Sequence, residues 1–165
     1  MRVALAGGSL LSRLESSSLA MHVRESVWLY PIVEIAHIAG FSILVGAVVL
    51  FDLRLLGFSK KLPVKECMRY LIFWARVSFA AVLSSGFILF IVDATGLASN
   101  PAFLLKLALI GAAILNAFFF QRFTLQSVDL WNAGQPSPPA AKLAGILSIL
   151  FWIAVISCGR LIAYI

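Results

Sequence analysis

Four long and nearly unbroken apolar runs constrain this chain more than any other feature. They cover residues 27–51, 70–96, 101–123 and 142–165, and a helix needs roughly 20 residues to cross the hydrocarbon core of a bilayer. The runs lack the alternation that is typical of outer-membrane barrel strands. Short connections favour antiparallel neighbours. We therefore expect an all-α integral membrane protein, folded as an up-down four-helix bundle.

The composition favours the same class. Hydrophobic residues make up 62% of the chain and charged residues 12%, whereas soluble domains are roughly 45–50% apolar and about 25% charged. The net charge of +6 does not indicate nucleic-acid binding, because the basic residues gather beside the membrane spans. Those in or near the first loop are Arg54, Lys60, Lys61, Lys65, Arg69 and Arg76.

The charge distribution also predicts an orientation. Arg122 and Lys142 flank the third loop, while the second loop, residues 95–101, carries no basic residue. The positive-inside rule then places loops one and three in the cytoplasm. We expect a multi-pass protein of the bacterial inner membrane, with the lipid bilayer as its main partner and both termini in the periplasm.

The N-terminal region differs from the rest of the chain. Residues 1–25 contain leucines interspersed with charged residues such as Arg13 and Glu15, a pattern typical of a short amphipathic segment on a membrane surface. A flexible tail is the alternative. Residues 26–165 then form the transmembrane domain, in which Asn100 and Pro101 predict an N-cap and the first turn of the third helix.

Ionisable residues interrupt the apolar runs. Glu34 and His37 are three residues apart and share one helix face. At 1.5 Å per residue, Glu34 lies about 10 Å and His37 about 15 Å below the outer boundary. Lys106 and Arg160 lie at depths of about 8 Å and 7 Å. Charges inside a bundle usually pair and often mark function, so we expect Glu34 to pair with Lys106 or Arg160.

The role of His37 stays open between a structural hydrogen bond, a haem or metal ligand, and a proton carrier. Gly40 and Ala47 continue roughly the same face and leave room for a neighbouring helix or for a flat ligand. A second polar set lies near the inner boundary and is expected to form an anchoring network. It consists of Asp52, Arg54, Arg76 and Arg122.

Three stretches of the sequence resemble a family of small bacterial four-helix inner-membrane proteins of unknown function. They are "ESVWLYPIVEIAHIAGFSILVGAVVLFDLRLLGF", "NPAFLLKLALIGAAILNAFFF" and "SILFWIAVISCGRLIAYI". More distantly, the pattern is similar to the four-helix protoporphyrinogen oxidases that bind haem b and to the membrane domain of D-type copper-resistance proteins. In the oxidases, an early histidine is followed by a glycine-rich stretch and an arginine, and a lysine follows in a later helix. The residues that would occupy those places are His37, Gly40, Gly46, Arg54 and Lys106.

The resemblance implies a haem b protein with a redox or electron-transfer role. His37 would be the metal ligand, Lys106 and Arg160 would neutralise the propionates, and Glu34 would adjust the charge balance. Gly40 and Ala47 would admit the porphyrin. The second axial ligand would be Lys106, His37 of a second copy in a homo-oligomer, or absent, and quinone or a porphyrin would be the partner.

Two alternatives stay open beside the haem hypothesis. The first is a transport protein in which Glu34 and His37 handle copper or protons. The second is a structural or assembly subunit with buried ion pairs and no cofactor. The sequence leaves open whether the protein is an enzyme.

Overall fold

The computed structural model describes residues 10–165, and these residues form helices joined by short connections. After a helical turn at residues 10–15, the α-helices are α1 (Ser18–Glu25), α2 (Leu29–Leu56), α3 (Val64–Val92), α4 (Ala94–Ser99), α5 (Pro101–Phe119) and α6 (Pro139–Leu161). A π-helix (Phe120–Thr124) and a 3-10 helix (Leu125–Leu130) continue α5.

Four helical stretches of the described chain are long and apolar enough to cross a membrane. They are Leu29–Leu56, Val64–Val92, Pro101–Leu130 and Pro139–Leu161. They pack as an up-down bundle, in which α2 contacts α3 and α6, and α6 contacts α5. The predicted fold class is therefore confirmed, and the protein is a multi-pass membrane protein.

The bundle buries small, aliphatic and aromatic side chains between its helices, and it also exposes many large apolar side chains on its outer surface. Leu44, Ala47 and Trp152 are among the buried residues of the central core. Ile35 and Leu104 are among the large apolar residues on the outer surface. A helix that is apolar on every side is typical of a membrane span, so this outer surface is suited to contact with lipid.

The helix limits differ from the predicted runs where polar residues occupy helical turns. The second span begins at Val64 rather than at residue 70, because charged residues fill its first turns and hydropathy alone does not register them. Pro63 precedes this helix as its N-cap. The predicted start of the third span is confirmed, since the Asn100 side chain accepts hydrogen bonds from the backbone N–H groups of Ala102 and Phe103.

Helix α2 ends at a glycine whose conformation other residues rarely adopt. Gly57 has a φ of 107°, and the Phe58 N–H donates to the carbonyl oxygen of Leu53 at 3.0 Å. This left-handed residue satisfies carbonyl groups at the end of the helix. The chain then turns within a few residues and starts α3 in the opposite direction.

Loops one and three are joined at one end of the bundle, which we call the Arg54 end. The Gly134 N–H donates to the carbonyl oxygen of Lys60 at 3.0 Å, and the Val64 N–H donates to that of Asn132 at 2.9 Å. The buried Arg54 guanidinium donates to the carbonyl oxygens of Leu62, Lys60 and Asn132 at 2.6, 3.3 and 3.1 Å. These bonds hold both loops on the same side of the bundle.

The opposite end, which we call the α4 end, carries α4 and the N-terminal helix. Ala20 and Val23 of α1 are buried, and the Arg24 guanidinium donates to the carbonyl oxygen of Val92 at the end of α3. The predicted N-terminal segment is thus a short docked helix over the part that the structure describes. Its first nine residues lie outside the described range.

Candidate functional site

His37 lies between α2 and α3 and is half-buried. Its Nδ1 is 3.0 Å from the Ser85 hydroxyl oxygen, and that hydroxyl is 2.7 Å from the carbonyl oxygen of Ala81, to which it donates. Because the single hydroxyl hydrogen is used there, Ser85 accepts from the imidazole, and Nδ1 carries the ring proton. The hydrogen bonds therefore place the ring proton on Nδ1, and the ring also makes a hydrogen bond to the Val82 backbone.

The imidazole is positioned by a glycine as well as by the serine. A Cβ atom placed on Gly86 would lie 3.0 Å from His37 Cε1, so the ring rests directly against the α3 backbone. Neither Ser85 nor Gly86 is among the residues predicted from the sequence. The signal was the run Ser84–Ser85–Gly86 within an apolar helix, since small residues mark places where transmembrane helices approach closely.

Lys106 reaches from α5 towards α6 at the same end of the bundle. It is half-buried, and its Nζ is 3.6 Å from the position of a Cβ atom on Gly159. It lies close enough to Cys158 and to His37 for electrostatic interaction. The ion pairs of the described residues are Lys65–Asp129 and Arg69–Glu66, so Lys106 has no carboxylate partner among them.

The predicted pairing of Glu34 with Lys106 or Arg160 is wrong. Glu34 is exposed on the surface of α2 and makes none of the ion pairs of the described chain. The exposed Arg160 turns along its own helix instead, donating to the Tyr164 hydroxyl at 2.6 Å with its guanidinium 5.0 Å from the Tyr164 ring centroid. These two residues face outwards because their helix faces point away from the bundle interior.

Gly40 and Ala47 serve helix packing rather than a ligand. A Cβ atom on Gly40 would lie 3.2 Å from Val82 Cγ2 and 3.7 Å from the Ser78 carbonyl oxygen, so α3 occupies the space beside it. Ala47 is buried in the central core next to Trp152. Of the two predicted uses of this face, the structure shows the neighbouring helix.

The inner polar set is not a network of ion pairs. Asp52 and Arg54 are both buried but no ion pair joins them within the described chain. Arg76 is exposed, and the Arg122 guanidinium lies 5.8 Å from the Phe123 ring centroid. The expected anchoring role is carried by Arg54 alone, through backbone carbonyl groups.

The α4 end therefore brings together one imidazole, one ammonium group and one thiol, contributed by His37, Lys106 and Cys158. No group of three or more His, Cys, Asp or Glu side chains in residues 10–165 is arranged to hold a metal ion. Such a donor set suits a ligand that takes one protein nitrogen and carries negative charge. It does not suit a metal ion bound by protein side chains alone, which commonly has three or four protein ligands.

Comparison with known proteins gives a family but no function. A model described as a family of unknown function, DUF6644, matches residues 25–165. The chain belongs to this family. No curated protein and no solved structure matches it. The matched region begins within α1 and contains all four membrane-spanning helices, so the His37 site lies wholly inside the part that defines the DUF6644 family.

Proposed function

We propose that this membrane protein binds haem b through His37 Nε2 and has a redox or electron-transfer role at the α4 end. The observation that carries the proposal is the 3.0 Å hydrogen bond between His37 Nδ1 and the Ser85 hydroxyl, because a neutral ring with its proton on Nδ1 would present the Nε2 lone pair to a metal. Histidines that bind a metal usually donate their other N–H to an oxygen in this way, which fixes the ring orientation.

The donor chemistry around His37 supports haem rather than a bare metal ion. Lys106 is a half-buried cation without a carboxylate partner among the described residues, and a propionate would supply the missing negative charge. Copper(I) prefers thiolate and thioether ligands, and Cys158 is the single sulfur ligand in the neighbourhood described above. When bound, haem supplies one-electron chemistry, while the protein orients it and excludes water.

The space around His37 fits a haem group only in part. Gly40 and Ala47 do not provide room for a porphyrin, because α3 and the central core occupy that space. Arg160 is exposed beyond the bundle and Glu34 faces outwards, so neither is assigned to the haem. The proposal therefore rests on His37, with Ser85 as a positioning residue and Lys106 as the counter-charge. With Lys106 as the counter-charge, a second ligand to the iron would come from His37 of a second copy or would be absent.

Proton transfer is the second candidate function, and the same Nε2 lone pair favours it. A neutral imidazole with one open nitrogen accepts a proton directly, and α2 would then carry this group in the outer part of the membrane. Quinone or a porphyrin would be the partner in the redox case, whereas water would be sufficient in the proton case. A subunit with only structural polar contacts is the outcome if neither activity is found.

We further propose an orientation of the protein in the membrane and the limits of its transmembrane domain. The Arg54 end faces the cytoplasm of a bacterial inner membrane, because the basic residues of loops one and three gather there. Both termini then lie in the periplasm. Residues 26–165 form the transmembrane domain, and residues 1–25 form a segment at its periplasmic surface.

A titration with haem b tests the binding proposal. Purified wild-type protein in detergent is expected to develop a Soret band at stoichiometric haem, and His37→Ala is expected to lose it. Ser85→Ala should bind about 10–100-fold more weakly, as substitutions of outer-shell partners commonly do. His22→Ala is the matched control, because this exposed histidine lies on α1 and should leave the band unchanged. Equal spectra for the wild type and His37→Ala, with circular dichroism showing both folded, would defeat the proposal.

A further inference from the structure

A small, partly open cavity lies near the Arg54 end, far from His37. Its volume is about 70 Å³, and all four membrane-spanning helices contribute to its wall. Most of the lining is apolar, and the polar side chains among the lining residues are Asp52, Asn116, Gln121 and Ser148. One water occupies about 30 Å³ in the liquid, so the cavity has room for one or two waters.

Asp52 is the unusual member of this wall. It is 4% exposed, and its Oδ2 has no hydrogen-bond partner. The nearby Arg54 does not neutralise it, since its guanidinium donates to the carbonyl oxygens of Leu62, Lys60 and Asn132. The Ser148 hydroxyl lies beside the carboxyl group on the facing helix α6.

The helices pack closely around the backbone of Asp52. A Cβ atom on Gly145 would lie 3.3 Å from the Asp52 carbonyl oxygen, so α6 crosses α2 closely at this point. The Asn116 amide nitrogen donates to the carbonyl oxygen of Ala144 at 2.9 Å, which joins α5 to α6 at the cavity and leaves the Asn116 amide oxygen available as an acceptor.

No basic side chain is among the described residues that line the cavity around Asp52. From α3 the cavity is lined by Met68 and Ile72, and from α5 and α6 by amide, hydroxyl and apolar side chains. The titratable Cys67 packs against the adjoining core and interacts with Arg54. A buried carboxylate without a cation, and with one oxygen lacking any hydrogen-bond partner, is disfavoured, and such groups tend to take up a proton instead.

We propose that Asp52 is a proton-binding site, protonated in the closed bundle and exchanging its proton with water in the cavity. The proton leaves a carboxyl oxygen for water, giving a carboxylate and hydronium, and returns by the reverse step. Ser148 is the hydrogen-bonding neighbour of the carboxyl group, and Asn116 lines the same cavity. The site is independent of the haem proposal, because it lies about 22 Å from His37 along α2, at 15 residues and 1.5 Å per residue.

Infrared spectroscopy of the protein in lipid vesicles tests the site. At neutral pH we expect a carboxylic-acid C=O stretching band that shifts in D₂O and is lost in Asp52→Asn. Ser148→Ala should shift the band, because it removes a hydrogen-bonding neighbour. Asp129→Asn changes an exposed, ion-paired carboxylate and should leave the band in place. Glu34→Gln is a second control, because Glu34 also lies within a span.

Three results would overturn the proposal. The first is a wild type without the acid band at neutral pH, and the second is a band that persists unchanged in Asp52→Asn. The third is an ionised Asp52 together with a protein whose unfolding temperature in the vesicles rises with Na⁺ but not with choline. That result would assign the cavity to a metal cation. If Asp52→Asn does not fold, the position of the infrared band in Ser148→Ala tests the assignment to Asp52. A band that does not shift in this variant contradicts the assignment.

Discussion

A single residue, Arg54, shows how a charge can be buried near a membrane boundary without an acidic partner. Its guanidinium group is 2% exposed and donates to three backbone carbonyl oxygens from two different loops. The planar fork of arginine suits several acceptors at once, which the ammonium group of lysine does not. Arg54 therefore stabilises the connection between loops one and three.

We expect Arg54→Ala to lower the free energy of unfolding in detergent by about 3 kcal/mol or more, since each hydrogen bond from a charged group contributes roughly 1.5–3 kcal/mol. The stability of Arg54→Lys should lie between those of the wild type and Arg54→Ala, because lysine keeps the charge but lacks the planar group that reaches several acceptors. Thermal unfolding followed by circular dichroism measures the effect. Arg76→Ala is the control, being exposed, and should change stability by less than about 0.5 kcal/mol. Equal losses for the Arg54 and Arg76 variants would contradict this role.

At the same scale, the sequence identified His37 but not its surroundings. An ionisable residue within an apolar run is conspicuous from sequence alone, and so was Lys106. The Ser85 contact was not predictable, because it depends on the register between α2 and α3, which hydropathy does not encode. The Glu34 pairing failed for a related reason. The position of a residue in the sequence gives its depth along the helix, whereas the direction in which its helix face points depends on how the helices pack.

At the scale of helices, glycine positions determine how closely the spans pack. A Cβ atom on Gly145 would meet the backbone carbonyl oxygen of Asp52, while one on Gly40 would meet a movable valine methyl group. Gly46 has no heavy atom within 4 Å of that position. The three glycines therefore differ in how much they tolerate a methyl group, although all three lie within helices.

We expect Gly145→Ala to reduce stability most, by about 1–3 kcal/mol, as overpacking against atoms that cannot move commonly does. Gly40→Ala should cost less because the Val82 side chain can rotate away. Gly46→Ala should be neutral or stabilising, since alanine is favoured over glycine in a helix by about 0.5–1 kcal/mol. Unfolding midpoints in one detergent give the order, and a Gly46→Ala loss as large as that of Gly145→Ala would contradict this packing.

The existence of the four spans was predictable from sequence, and their limits less so. Hydropathy identifies the part of a helix that lies in lipid, whereas α3 continues through charged turns outside that part. The Asn100–Pro101 start was predicted correctly because capping is a local interaction of adjacent residues. No local sequence pattern predicts the π-helix and 3-10 helix between Phe120 and Leu130.

At the scale of the whole molecule, the up-down arrangement places loops one and three on the same side, and the positive-inside rule predicts that this side is cytoplasmic. In a variant with Cys67 and Cys158 replaced by serine, single cysteines at Lys61 and Gln135 should resist an impermeant thiol reagent applied to cells with a permeabilised outer membrane. A cysteine at Ser99 should react. All three positions are exposed, and detergent-opened membranes provide the control. The inverse pattern would reverse the proposed orientation.

The two ends of the molecule then carry different polar groups, His37 with Lys106 at one end and Asp52 at the other. The first set is proposed to bind a cofactor and the second to bind a proton. The most direct test of the first is the visible spectrum of the protein isolated from cells with ample haem supply, before and after dithionite. We predict a Soret band and sharpened reduced bands of haem b, both absent in His37→Ala. A colourless wild type would contradict the account and leave His37 as a structural or proton-carrying residue.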